Sequence, residues 1–289
     1  MKVDKFRTVI IYIIIILLGL VCLLPLLNIV AISFSSSAAV EGNMVGLIPV
    51  GFSTAAYEKI LEDSQFWHSF LISVERVVLT LIINFVLIVL MAYPLSKTNA
   101  QFRGRNVYAN LMIFAMLFNG GMIPTFLLVK SYGLLNPVWA LVLPGAVPIF
   151  NVILVMNFFA AVPKELEEAA FIDGANPLQV LTKIFIPISK PVLATVSLFS
   201  IVGSWNDFYS GLIYMSKAAY YPLMTYIQSL QINVEDLIKQ GNLSAVVDSA
   251  SLGNTNLNAA KIVVAVIPLL YPLLQRYFVS GIVVGSVKG

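Results

Sequence analysis

The sequence predicts an all-α integral membrane protein of six transmembrane helices with both termini on the cytoplasmic side. Three observations carry that expectation. Of the 289 residues 59% are hydrophobic and only 11% charged, with a mean hydropathy of +0.92; soluble domains carry roughly 45–50% apolar and about 25% charged residues. The apolar residues gather into runs of about the length, roughly 20 residues, that a bilayer-crossing helix needs. The Lys and Arg residues are distributed unevenly among the links between those runs, and that bias sets orientation.

The first span is expected at about 9–34, after Lys2, Lys5 and Arg7. Its apolar stretch exceeds the roughly 7–15 residues of a signal-peptide core, so it reads as an uncleaved helix. Residues 35–68 form an external loop with a short helix near Thr54 to Asp63. The second span covers about 69–95 and carries Glu75 and Arg76 in its outer third. Charges in hydrocarbon are costly, and adjacent helix positions do not face each other, so each needs a partner elsewhere.

A polar link with Lys97, Arg103 and Arg105 leads to the third span, about 108–129. Asn119, Gly120, Gly121 and Pro124 weaken its helix locally; such breaks are tolerated against neighbouring helices or a cavity. After a tight turn at Tyr132 to Asn136 comes the fourth span, about 137–160, kinked at Pro144 and Pro148. A polar segment fills 161–190. The fifth span covers about 191–214, an external loop rich in Asn, Ser and Gln covers 215–257, and the sixth span, about 258–278, contains Pro268 and Pro272. With the N-terminus inside, eleven of the seventeen Lys and Arg residues fall on the cytoplasmic side, and so does the 161–190 segment.

Several chemistries are disfavoured. One Cys (Cys22) and one His (His68) allow no internal disulfide, no Cys/His zinc cluster and no Cys–His nucleophile pair. Cys22 reads as a small buried hydrophobe and His68, beside Trp67, as an interfacial side chain. The formal charge of +3 is dispersed, unlike the basic face of a nucleic-acid binder. No catalytic or metal-binding set stands out, and no Gly-x-x-x-x-Gly-Lys-Ser/Thr phosphate loop occurs.

The 161–190 segment has legible local chemistry. Pro163 opens a short helix. Glu165, Glu167 and Glu168 lie in its first turns, where carboxylates complement the dipole, and Ala169 and Ala170 follow as strong helix formers. Asp173 and Gly174 end it, with Gly174 suited to a left-handed position. Asn176 can cap a second helix with Pro177 at its first position, and Pro187 ends that helix before the membrane. The product is a helix–turn–helix elbow with small residues on one side.

This elbow resembles the EAA loop of the membrane subunits of ATP-binding-cassette (ABC) importers. That family's pattern is Glu-Ala-Ala, three residues, Gly, nine residues, then Ile-x-Leu-Pro. Glu168, Ala169, Ala170, Gly174, Ile184 and Pro187 match it; Ile186 stands where Leu is usual, a conservative exchange. Trp205-Asn206-Asp207-Phe208, the stretch Asn119 to Pro124, and the terminal Gly285 to Gly289 are similar to the carbohydrate-uptake, maltose-type branch.

The resemblance implies a type I importer permease in the bacterial plasma membrane. It implies pairing with a homologous second permease, two cytoplasmic ABC ATPases carrying ATP and Mg, and an extracytoplasmic binding protein delivering a carbohydrate. No cofactor is expected on this chain, and no nucleic acid partner; membrane lipid surrounds it. ATPase coupling would fall to Glu168, Ala169, Ala170, Asp173, Gly174 and Pro187. Trp205, Asn206, Asp207 and Asn119 are the candidates for the substrate pathway, through aromatic stacking on sugar rings and hydrogen bonds to hydroxyls. A structural cluster at a helix contact is the competing reading of Trp205 to Asp207. A permease for a non-sugar substrate and a secondary transporter are the alternatives. The latter would need mid-membrane coupling groups and often inverted repeats, neither of which stands out.

Overall fold

The computed structural model describes residues 5–230 and 254–266. Residues 231–253 of the expected external loop, residues 267–278 of the expected sixth span and the C-terminal tail lie outside the described residues. Every regular element among those described is helical. Among the described residues two helices are each long and apolar enough to cross a membrane. Three further bent pairs raise the number to five, by length and composition.

The chain divides into two compact units. Of the described residues, one comprises 5–68, 226–230 and 254–266, the other 69–225. The first contains α1 (Lys5–Ser33), α2 (Ser37–Glu41), α3 (Ala55–Glu62) and the first turn of α4 (Ser64–Leu95). From α1, side chains such as Ile11, Ile15 and Leu18 are more than half exposed. A helix apolar on all sides is stable there only in hydrocarbon or against another protein. At its far end Phe34 stacks between Phe52 and Tyr57, at 5.7 and 4.8 Å, and Ser33 shares a 2.9 Å hydrogen bond with Tyr57.

A buried ionic knot holds this unit together. Asp63 donates no proton but accepts three hydrogen bonds. They come from Lys261 Nζ (2.6 Å), the Tyr226 hydroxyl (2.9 Å) and the Phe66 N–H (3.0 Å), the last capping α4. Burial pushes the Asp63 carboxyl up, but these bonds and the Lys261 charge outweigh it and hold it below the usual carboxylate range. A carboxyl lowered in the fold stabilises it above the unfolded value, about 3.9. The contribution is lost as pH falls through the folded value. Thermal melts of the purified protein should therefore lose stability as pH drops below about 4. Asp63→Asn should lower the melting temperature at neutral pH and flatten that acid limb; an unchanged limb would contradict the knot's role.

The second unit holds the rest of α4, then α5 (Arg105–Leu117), α6 (Met122–Ser131), α7 (Trp139–Val142), α8 (Ile149–Ala160), α9 (Lys164–Ile172), α10 (Pro177–Val180), α11 (Ile186–Ile188), α12 (Lys190–Asn206) and α13 (Tyr209–Tyr214). Helical residues 223–230 form α14, and Asn254–Val266 is α15 of the first unit. The core is built from Ile88, Val89 and Ala92 of α4, Val152, Val155 and Phe159 of α8, and Val192 and Val196 of α12. Val180, Leu181 and Phe185 join it from the segment between α9 and α12.

The stretch expected as the third span, 108–129, is divided. α5 and α6 meet at 111° across Phe118 to Gly121. Gly121 adopts φ 89°, ψ 176°, a conformation essentially reserved for glycine, and its N–H donates to the Asn119 side chain at 2.9 Å. The helix breaks where the Asn-Gly-Gly stretch was expected to weaken it, and the break turns the chain sharply. The fourth stretch bends by 48° between 139–145 and α8. Asn136, at φ 80°, forms the turn before it and accepts from Ser216 N–H and Oγ at 2.8 Å.

Candidate functional site: a capped elbow and a polar cleft

The elbow begins where α9 follows Pro163 as N-cap. Its C-terminus closes on Gly174 at φ 81°. The Gly174 N–H donates to Phe171 O (3.1 Å) and the Ala175 N–H to Ala170 O (2.9 Å), the two bonds of a Schellman motif. Two residues later a capping box starts the return limb. Asn176 Oδ1 accepts from the Gln179 N–H and Gln179 Oε1 from the Asn176 N–H, both at 2.9 Å, with Pro177 in the first turn. Both helix ends are thus satisfied by residues within a few positions.

The return limb ends one residue past Pro187. The limb continues to Ile188 through a π turn at Leu181–Phe185, and the chain then bends by 84° into α12 at Ser189. Proline has no N–H and its ring crowds the carbonyl four residues back. The widened turn preceding Pro187 relieves that crowding.

Glu168, Ala169, Asp173 and Gly174 are exposed, whereas Ala170 packs against the core. Beside them Leu166, Phe171, Ile172 and Leu178 are also exposed, Ile172 to 86%. Glu167, one residue before the Glu-Ala-Ala triplet, turns inward instead. Its carboxylate accepts from Lys97 Nζ at 2.8 Å, and the two side chains are only 12% and 11% exposed. The Lys97 ammonium lies 4.1 Å from the ring centroids of both Tyr93 and Phe185. Burial pushes the Lys97 ammonium down, an effect only partly offset by Glu167.

The second feature is a cleft of about 280 Å³ lined by α4, the α7–α8 region, α12 and α13. Its polar wall comes from Arg76, Thr80 and Asn84 on α4, Asn151 on α8, and Ser200 and Ser204 on α12, with Asp207 at the end of α12. Arg76 Nη1 donates to Asp207 O at 2.9 Å and Nη2 to Asp207 Oδ2 at 2.5 Å. Ser210 completes the carboxylate's partners through its N–H (3.1 Å) and hydroxyl (2.5 Å). Asn84 Nδ2 donates to Ser200 Oγ at 3.1 Å. Arg76 Nε, Thr80 Oγ1 and Asn84 Oδ1 are buried with no hydrogen-bond partner among the described residues. Buried polar atoms in that state call for water or a polar ligand.

Of the residues singled out for a substrate pathway, Asp207 enters this cleft, already engaged by Arg76 and Ser210. Trp205 packs edge-on against Phe70 at 5.8 Å. Asn206 and Asn119 are exposed, and neither they nor Trp205 line the cleft. The sequence did carry a signal for the missed residues. Arg76, Thr80 and Asn84 recur every four positions, as do Ser200 and Ser204, which puts each set on one helix face.

Bent apolar helices, a polar cleft among them and a doubly capped elbow fit a multi-pass membrane protein. Residues 77–284 match the family described as the binding-protein-dependent transport system inner membrane component. The chain belongs to that family, the permeases of ABC importers.

It is 40% identical over 273 residues to protein LplC of Bacillus subtilis (strain 168), covering 94% of this chain and 91% of that one. It is 39% identical over 288 residues to the polygalacturonan/rhamnogalacturonan transport system permease protein YtcP of the same organism, covering 99% of each. A solved bacterial ABC transporter involved in import of the acidic polysaccharide alginate matches with a TM-score of 0.83 and 33% identity, covering 96% of this chain and 98% of that one.

Proposed function

We propose that this chain is one of two homologous permeases that together form the membrane pathway of an ATP-driven carbohydrate importer. The substrate is an oligosaccharide delivered by an extracytoplasmic binding protein. The observation that carries this reading is the elbow. It is capped at both inner ends, rooted in the core through Val180 and Phe185, and crowned by exposed Leu166, Phe171, Ile172 and Leu178 among the carboxylates of Glu165, Glu168 and Asp173. An apolar cluster rimmed by charge on a membrane protein's water-facing side suits a soluble protein partner.

That partner is an ABC ATPase, with ATP and Mg bound on it. Closure of two ATPase copies moves the elbow, with Glu168, Ala169, Ala170, Asp173, Gly174 and Pro187 as the coupling residues. Because its caps are internal, the elbow moves as a unit. The permease pair then alternates between outward-open and inward-open states, biased by nucleotide and by the loaded binding protein. The polar groups of the cleft, Asp207 among them, provide a hydroxyl-compatible wall beside the route; Trp205, Asn206 and Asn119 remain proposed contacts of the same route. The substrates for which the permease relative and the alginate importer are named favour a polysaccharide fragment.

The test is copurification of the intact complex, its reconstitution in proteoliposomes, and identification of the glycan carried by its binding protein. ATP-dependent accumulation of that glycan is expected. Uptake by this chain alone, driven by a proton gradient, would overturn the reading.

A further inference from the structure

We infer that Lys97 is a positioning residue for coupling: it is the joint through which the elbow carries the end of α4 with it. The inference rests on the reading of the elbow as the part that moves with the ATPases. Three elements converge on this one ammonium group, two of them at least 70 residues along the chain. α4 contributes Tyr93 and the turn that ends it, α9 contributes Glu167, and the π turn contributes Phe185. Tyr93 and Phe185 also meet edge-on at 5.1 Å, and Phe185 meets Phe159 of α8 at 5.4 Å. The ammonium is thus enclosed by two ring faces and a carboxylate, with both charged side chains nearly 90% buried.

The surroundings make this a joint and not a surface ion pair. A cation over two aromatic faces gains attraction that strengthens as water is excluded. Separating a buried pair strands both charges, which costs far more than separating an exposed one. Sliding the elbow past α4 would do that. Moving the two together would not. Meanwhile Arg105 Nε donates to Leu95 O at 2.9 Å, fixing the last turn of α4. The same helix carries Arg76, bonded to Asp207 between α12 and α13. A displacement of the elbow therefore reaches the Arg76–Asp207 contact along one continuous helix. Glu165 and Glu168, exposed on the same short helix, are left for the partner.

The test uses the complete transporter, with its second permease, ATPases and binding protein, in proteoliposomes. The readout is ATP hydrolysed per sugar imported, with assembly checked by size-exclusion chromatography. Lys97→Met keeps the apolar stem and removes the charge; it should raise the ratio at least tenfold in assembled complex. Glu167→Gln should do the same, and the double variant should be no worse than either single one. The exchange Lys97→Glu with Glu167→Lys should recover part of the coupling, which a merely structural role would not require. Lys97→Arg keeps the charge, so it should stay within about threefold of wild type, and it serves if Lys97→Met fails to assemble. Wild-type ratios in both single variants, or multiplying effects in the double one, would overturn the joint. A wild-type complex that hydrolyses ATP but imports no sugar would instead sink the underlying function.

Discussion

Gly174→Val is expected to abolish uptake in a protein that still inserts and assembles. The position has φ 81°, and a Cβ placed there would meet no atom within 4 Å. The penalty is therefore conformational and not steric crowding. A left-handed backbone costs an ordinary residue roughly 1–2 kcal/mol, and a β-branched one is a true outlier there. Valine would pull φ negative, break the Gly174-to-Phe171 and Ala175-to-Ala170 bonds, and swing the return limb away from α9. Misplacing a coupling surface by a few ångströms is enough to disconnect it. Asn, which tolerates this conformation, should retain most activity at the same position. Wild-type uptake by the valine variant in proteoliposomes would remove the elbow's geometry from the mechanism.

Arg76→Met should destabilise the protein by about 3 kcal/mol, the lower end of the 3–5 kcal/mol range for breaking a buried pair from one side. The lower end applies because Asp207 keeps 29% of its side-chain exposure and retains its two bonds from Ser210. Adding Asp207→Asn to Arg76→Met should recover much of the loss, since no charge is then stranded. Chemical denaturation in detergent micelles, run as a double-mutant cycle, measures both numbers. Additive losses would show that the two groups do not support each other.

These two sites differ in how far they could be read from the chain. The elbow's caps are local: Gly174 and Asn176 act on backbone groups within four positions, so residue type and spacing suffice to locate them. Asp207 is the opposite case. As a lone carboxylate after an apolar run it reads as a sugar contact, yet its guanidinium partner lies 131 residues earlier. Arg76 announced that it needed a partner without saying which. Lys97 read as one more cytoplasmic charge: Tyr93 lies four residues before it, but Phe185 and Glu167, which complete its surroundings, are remote in sequence. The third span illustrates a limit of another kind. Two consecutive glycines permit a slight kink or a sharp bend equally; the bend is 111°, and Val129 beyond it packs beside Ala140, Leu141, Tyr214 and Met215.

By itself the sequence determined the solvent, the helical class and the capped elbow. Each follows from composition or from interactions spanning one or two turns. The tertiary structure alone decided which charges pair, which polar faces share a cleft and how sharply the third stretch bends. Those outcomes depend on burying groups far apart in the chain against one another, and neither hydropathy nor spacing encodes such a pairing.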